Sequence, residues 1–304
     1  MASAKELKKK IRSISNTRKI TRTMELVATV KSKRTQSRVQ ATAPYSEALG
    51  DLLADLGRAA SIRHPLLEAL ERKLPTVLFV ITANRGLCGG YNTNVMARAD
   101  ALVRAERESD RPVEIYMAGK KGIARLRFLK YEAKERFLGL DDKATFAEVE
   151  KIAEALMRRF LAGEIGKVLV VSTRYLSASN HQAEVAQLLP IAGGGAQDNG
   201  TRNGADRADR GDRKDSAGAV DYIFEPDPGT ILQSILPLSV KVFLFRLVVE
   251  ASASEQAARR LAMKLATDNA EEMISYYSRF YNRTRQAAIT QQINEIVSGA
   301  NAQD

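Results

Sequence analysis

The chain of 304 residues has no tryptophan, one cysteine and two histidines. A single cysteine, Cys88, excludes an internal disulfide and fits a reducing compartment. His64 and His181 lie in no C-x-x-C or H-E-x-x-H spacing, which argues against a zinc site. Aromatic residues make up only 6%, which favours helices packed through small side chains. No run of 18 apolar residues occurs, so no membrane span is expected. The N-terminus, MASAKELKKKIRS, has neither an apolar signal core nor a small-residue cleavage site. It is basic and amphipathic, as transit peptides are, but its helical pattern runs far past any removable leader. A mature start is the preferred reading.

Acidic residues are scarce at one end. Residues 1–40 hold twelve Lys/Arg against Glu6 and Glu25, which accounts for ten of the eleven net positive charges. A concentrated basic arm suggests a polyanion or an acidic protein surface as partner. Nucleic-acid recognition calls for interleaved aromatics or a helix-turn-helix. Residues 1–44 contain no aromatic, so charge supports only weak non-specific binding there.

Glycine and proline are nearly missing from both ends. Residues 4–56 contain only Gly50 and Pro44, and none of either lies between Pro237 and Gly299. Leu7, Ile11, Ile14, Ile20, Met24, Val27 and Ala28 recur three or four apart, read as one helical stripe. Ala258, Ala262, Leu265, Met273, Tyr277, Phe280, Thr284 and Ala288 do the same near the C-terminus. A helix over 250–298 would be about 70 Å long at ~1.5 Å per residue, and needs a partner along its length. The expected architecture is therefore α/β with two long terminal helices, paired as an antiparallel coiled coil, around an inserted Rossmann-like domain. The expected divisions are an N-terminal helix over 1–60, an α/β domain over 75–230 and a C-terminal helix over 231–304.

The middle of the chain supplies that domain. Apolar runs at Val77–Ile81, Val113–Met117 and Val168–Ser172 alternate with helical segments near 92–108, 119–130 and 145–162. Thr145 and Glu148 read as a capping box opening the last of these. Such alternation predicts a parallel sheet. Residues 193–220 differ: they hold seven of the 19 glycines, and five Asp balance five Lys/Arg. Too little apolar surface is available there to offset ordering entropy, so a flexible surface insertion is expected, with a regulatory loop as the alternative.

Several stretches invite a catalytic reading. NRGLCGG, residues 84–90, has the glycines of a phosphate loop, but not G-x-G-x-x-G spacing and no following Lys-Ser/Thr. The alternative is a tight strand-to-helix turn needing positive φ. Cys88 lacks a His in a recognisable motif and reads better as a small buried thiol than as a nucleophile. Lys120 and Lys121, between glycines, are either phosphate contacts or part of a solvated turn. Asp141 and Asp142 form a carboxylate pair whose default role is a turn or cap.

ASEQAARRLAMKLATDNAEEMI (253–274) and YNRTRQAAITQQINEIVSGA (281–300) closely resemble the rotor-shaft gamma subunit of F-type ATP synthases. IRSISNTRKITRTMELVATVKSKR (11–34) is similar to that family's other shaft helix, NRGLCGGYN (84–92) to its central domain and EPDP (225–228) to its foot. The resemblance runs from about residue 4 to 302. The terminal signature I-T-x-E-x-x-[DE]-x-x-x-G-A is met by Ile289, Thr290, Glu295, Gly299 and Ala300, but Gln292 replaces its first acid. Photosynthetic relatives carry a cysteine-containing regulatory insertion near 193–220; this one has no Cys.

The resemblance implies a central-stalk rotor that couples ion flow through a membrane ring to cycling of sites that make ATP. It implies as partners an alpha3-beta3 ATPase hexamer, a small epsilon rotor subunit and the membrane c-ring, with one copy per complex. It implies no catalysis by the chain alone, no cofactor, no metal and no nucleic acid. The implied location is peripheral, on the cytoplasmic face of the bacterial inner membrane. By motif match, Met24 faces the acidic lever of the catalytic subunit. Glu255, Arg259, Arg285, Gln286, Thr290 and Gln292 match shaft–stator contacts or positions coupled to them, and Phe224 and Glu225 match the foot on the rotor ring. Thr290 has packing within the coiled coil as its alternative, and Arg259, with few acids nearby in sequence, is expected to seek an external partner.

Overall fold

The computed structural model describes residues 3–59, 64–68, 70, 74–177, 180–191 and 228–301. In chain order the elements are α1 (Ala4–Ala59), β1 (Thr76–Ile81), α2 (Tyr91–Glu108), β2 (Val113–Ala118), α3 (Lys120–Phe128), β3 (Glu135–Phe137), α4 (Phe146–Leu161), β4 (Lys167–Tyr175), β5 (His181–Leu189) and α5 (Pro228–Asn301). They form two compact units, Lys31–Ala258 and Met1–Val30 with Arg259–Asp304. The predicted insertion, 193–220, and the foot residues Phe224 and Glu225 lie outside the described residues.

In the larger unit the strands run in the order β3-β2-β1-β4-β5. The first four are parallel, as expected from βαβ alternation. β5 is antiparallel to β4, a departure from the all-parallel expectation. A short connection explains it: β4 and β5 are separated only by residues 176–180, too few for a crossover helix. β3 also went unpredicted, because three residues give no periodicity.

All six residues of β1 are buried, as a central parallel strand covered on both faces requires. Alternation splits them between two cores. Val77, Phe79 and Ile81 join α4 and the first part of α5; Leu78 and Val80 join α2 and α3. α4 shows the helical rule cleanly, burying Val149, Ala153, Leu156, Met157 and Phe160. Its predicted capping box is formed, Thr145 accepting from the Glu148 N–H and Glu148 accepting from the Thr145 N–H. That backbone N–H holds the Glu148 carboxyl below the ordinary carboxylate range.

α5 begins at Pro228 and runs through Pro237, earlier than the sequence pattern indicated. A proline at a helix start loses nothing, because its missing N–H would have no intrahelical partner. α5 is also the one helix among the described residues long and apolar enough, by composition alone, to cross a membrane. Its apolar residues from Leu232 to Ala251 are instead built into the α/β core.

The smaller unit pairs residues 7–28 of α1 with residues 263–284 of α5, and residues 285–298 of α5 are exposed. Lys10 lies over Tyr277, Arg18 meets Glu271 and Thr21 meets Thr267, so the helices run antiparallel. Along α5 the covered residues Met263, Thr267, Ala270, Ile274, Tyr277, Tyr281 and Thr284 recur alternately four and three apart, with Ala262, Ala266 and Ser278 half-buried beside them. On α1 they are Leu7, Ile11, Ile14, Arg18, Thr21, Met24, Glu25 and Ala28. That 3.5-residue repeat is a coiled-coil seam.

The seam corrects the sequence stripe at several points. Ile20 is 61% exposed and Val27 54% exposed. At about 100° per residue Ile20 lies on the far side of α1 from Ile11. Leu265, Met273 and Phe280 likewise face outward from α5. Hydrophobicity misled because the true seam is built partly from Arg18, Thr21, Thr267 and Ala270.

Candidate functional site

Open α/β sheets bind ligands beyond the carboxyl ends of strands where the strand order reverses. Here the reversal falls between β1 and β4. The loop after β1 carries NRGLCGG, so this is where a nucleotide would sit. α5 occupies the place. Ser254, fully buried, donates from its hydroxyl to the Thr173 carbonyl near the end of β4 at 3.3 Å. Ala258 packs into a small cluster with Ala83, Cys88 and Tyr91.

The loop's polar groups are turned inward. Asn92 accepts from the Ala83 N–H at 2.9 Å and donates to Cys88 Sγ at 3.2 Å. N–H groups at the start of the neighbouring helix, α3, are also engaged. Lys120 N–H donates to Asn84 Oδ1, Lys121 N–H to the Ala83 carbonyl and Gly122 N–H to Thr82 Oγ1. The Lys120 and Lys121 side chains are exposed, which fits the solvated turn. Positive φ is needed at Gly89 but not at Gly86 or Gly90, and Leu87 adopts it without being glycine. Gly122 answers a packing demand, since a Cβ there would meet Met117 Sδ and Thr82 Oγ1 at 2.3 and 2.6 Å. Cys88 is buried, as the thiol reading predicted. The sequence signal for this closure was the small-residue set Ala253, Ser254, Ala257 and Ala258, which lets a helix backbone approach closely.

Asp141 forms the expected turn, accepting from the Lys143 N–H at 2.9 Å. Asp142 has a different use: its carboxylate pairs with Lys31 of α1 at 2.9 Å. Spacing alone gave no hint of that long-range contact.

The candidate contact residues of the terminal helices do not converge on one place. Met24 is half-buried in the seam. Arg285, Gln286, Thr290 and Gln292 are exposed on α5. Thr290 bonds its hydroxyl back to the Gln286 carbonyl at 3.0 Å, so it does not pack the coiled coil. Arg259 retains 8% exposure, and both it and Glu255 have polar or electrostatic interactions within the chain. Arg259 is therefore engaged within the chain, whatever it meets outside it. The outward apolar residues were missed: Ile20, Leu26, Val27 and Val30 on α1, and Ile289, Ile293 and Ile296 on α5. Their i, i+3 and i+4 spacing, offset from the seam, was the available signal.

Fold and surface define a two-helix coiled coil carrying an inserted α/β domain whose ligand crevice is filled by its own helix. The chain belongs to the ATP synthase gamma chain family. The family model described as ATP synthase matches residues 3–303. An ATP synthase gamma chain of Leptospira biflexa is 40% identical over 303 residues, 99% of each chain. One of Rhodopirellula baltica is 38% identical over the same share of each. Among solved structures, a chain of the Euglena gracilis mitochondrial ATP synthase OSCP/F1/c-ring assembly is similar with TM-score 0.62 at 20% identity, over 98% of this chain and 94% of that one. A chain of the Tetrahymena thermophila central stalk and c-ring gives 0.54 at 19%, over 81% and 99%.

Proposed function

We propose that this chain is the central-stalk rotor of a rotary ATP synthase, coupling ion flow through a membrane ring to cycling of catalytic sites it does not itself contain. The observation that carries this reading is the unpartnered apolar face of the coiled coil, Ile20, Val27 and Val30, in a member of the gamma chain family. A helix pair with apolar residues on both its seam and its outer side needs a surrounding surface. A ring of three alpha and three beta subunits supplies one. The exposed basic side chains of residues 5–22 of α1 then slide past acidic segments of that ring, each exposed contact contributing only ~0–1 kcal/mol. Such contacts are made and broken without a deep lock.

In this reading residues 1–60 and 231–304 are the shaft helices and 75–230 the collar, with 193–220 a surface insertion. The epsilon subunit docks on the collar, and Phe224 and Glu225 form the foot on the c-ring. Met24, Glu255, Arg259, Arg285, Gln286, Thr290 and Gln292 act at or behind the shaft–stator surface. The chain is non-catalytic and peripheral to the membrane, on the cytoplasmic face of the bacterial inner membrane. The filled crevice supports the non-catalytic assignment, and the bacterial relatives support the location.

Reconstitution tests the reading. The chain alone should hydrolyse no ATP, and adding the alpha and beta subunits should give a complex that turns it over. Nucleotide bound by the chain alone at micromolar affinity would sink the reading. Exposed Arg285 is a cleaner probe of coupling than buried Arg259, because reversing Arg259 disturbs the chain's own interactions. Arg285→Glu should lower ATP-driven ion pumping while the variant chain still assembles.

A further inference from the structure

Apolar packing holds surfaces together but is non-directional, so it resists separation better than sliding. A collar that turns with its helices needs contacts of fixed geometry. The described structure gathers such contacts where the loop before α4 and the start of α4 meet both α1 and α5. From α1, Arg38 donates one guanidinium nitrogen to the Asp142 carbonyl at 2.7 Å and the other to the Ala144 carbonyl at 2.6 Å. Lys31, two turns earlier on the same face, pairs with the Asp142 carboxylate. From α5, Lys241 bridges Glu150 and Glu154 at 2.8 and 2.6 Å, and Phe245 meets Phe146 edge-on at 5.5 Å. Arg38 also lies 6.0 Å over the Phe245 ring, so this one side chain of α1 reaches both the loop before α4 and α5.

The receiving end is stiff. Asp141 closes the turn onto Lys143, and the Ala144 N–H donates to the Asp141 carbonyl. Thr145 and Glu148 then lock the first turn of α4. The planar fork of arginine fits two carbonyls at once, which a lysine point charge cannot do. Sliding α1 by about 1 Å would carry both bonds out of good hydrogen-bond geometry.

We propose that this junction is the key that locks the α/β domain against rotation about α1 and α5, with Arg38 as its positioning residue. The inference rests on the rotor reading above. It predicts a mechanical role for a carboxylate pair and a basic helix face that the sequence suggested only as a turn and an acidic-partner site.

The test uses the complete chain assembled with its catalytic ring, the ring fixed to a surface and a bead attached to the collar. Angular fluctuation of the bead reports torsional stiffness. Arg38→Met keeps the stem and removes the fork; its angular variance should rise about two-fold or more while unloaded ATP hydrolysis is unchanged. Arg38→Lys should recover little. Lys241→Met should loosen the junction less, and it decides the matter if Arg38→Met does not assemble. Lys33→Met, an exposed neighbour outside the junction, should change nothing. Wild-type variance in Arg38→Met, or in Lys241→Met where that variant decides, overturns the junction. So does an equal rise in Lys33→Met. A wild-type chain that neither joins the ring nor turns in it overturns the rotor reading instead.

Discussion

β1 buries six consecutive residues, five of them apolar, between two hydrophobic layers. The coiled coil places Arg18, Thr21, Thr267 and Ala270 along its only seam and leaves Ile20 and Val27 outside. The first unit holds itself together. The second is a two-helix pair whose seam mixes apolar side chains with small and polar ones, and helices with so little packing are marginal by themselves. The difference teaches that stability and contact surface are assigned to separate parts of the chain. The α/β unit holds the larger hydrophobic core, while the helix pair divides its large apolar side chains between the seam and an exposed face.

The largest expected effect tests the first half of that comparison. Phe79 is fully buried and stacks against Phe137 at 5.5 Å. Phe79→Ala should cost about 3–5 kcal/mol, from lost transfer energy and an unfilled cavity. Denaturant unfolding of the full chain, followed by circular dichroism, measures it. A loss below about 1 kcal/mol would mean the α/β core is not the dominant source of stability.

A smaller effect is expected where α5 closes the crevice. Ala258 is buried against Ala83, Cys88 and Tyr91. Ala258→Leu should destabilise by about 1–3 kcal/mol through overpacking. The same change at exposed Ala288 should have almost no effect. If Ala258→Leu is silent in thermal unfolding, the crevice is open enough to admit a ligand, and the phosphate reading of NRGLCGG returns.

Local rules carried the sequence reading where a residue's neighbours in sequence are also its neighbours in space. The Thr145–Glu148 capping box, the apolar runs of β1, β2 and β4 and the buried Cys88 all depend on contacts of that kind or on plain hydrophobicity. The reading failed where the partner is remote. Ile20 and Val27 looked like seam residues because spacing by three or four admits two faces over a long helix. Only the position of α5 selects one. Lys31 and Arg38 counted as part of a basic arm, and nothing in residues 31–38 names Asp142 as their partner. The family resemblance supplied the proposed contact residues on the terminal helices, which physical patterning alone did not single out.

Within the seam the effects should be modest. Thr267 and Thr21 place their hydroxyls 2.9 Å apart, and each also reaches a carbonyl on its own helix, Met263 and Arg18 respectively. Thr267→Val removes one partner and should cost about 0.5–1.5 kcal/mol, read as faster amide exchange over 263–271. Thr21→Val combined with Thr267→Val replaces both by matching apolar shapes and should restore near wild-type exchange. A double variant worse than the single would show that the hydroxyls specify the register rather than merely satisfy each other.

The smallest effect is the most exposed ion pair. Arg18 and Glu271 meet at 3.2 Å, with 37% and 60% of their side chains exposed. Solvent and salt screen such a pair, and ordering two long side chains offsets part of the Coulomb gain. Arg18→Gln should therefore change stability by about 0–0.5 kcal/mol at low salt. At 1 M salt, where the screening length falls to about 3 Å, the difference should vanish. Unfolding at the two ionic strengths, wild type beside variant, gives the answer directly. A loss of several kcal/mol that persists in high salt would place a strong, directional lock in the coiled coil. The seam would then resemble the α4 junction, and the two units would no longer differ in the way their side chains indicate.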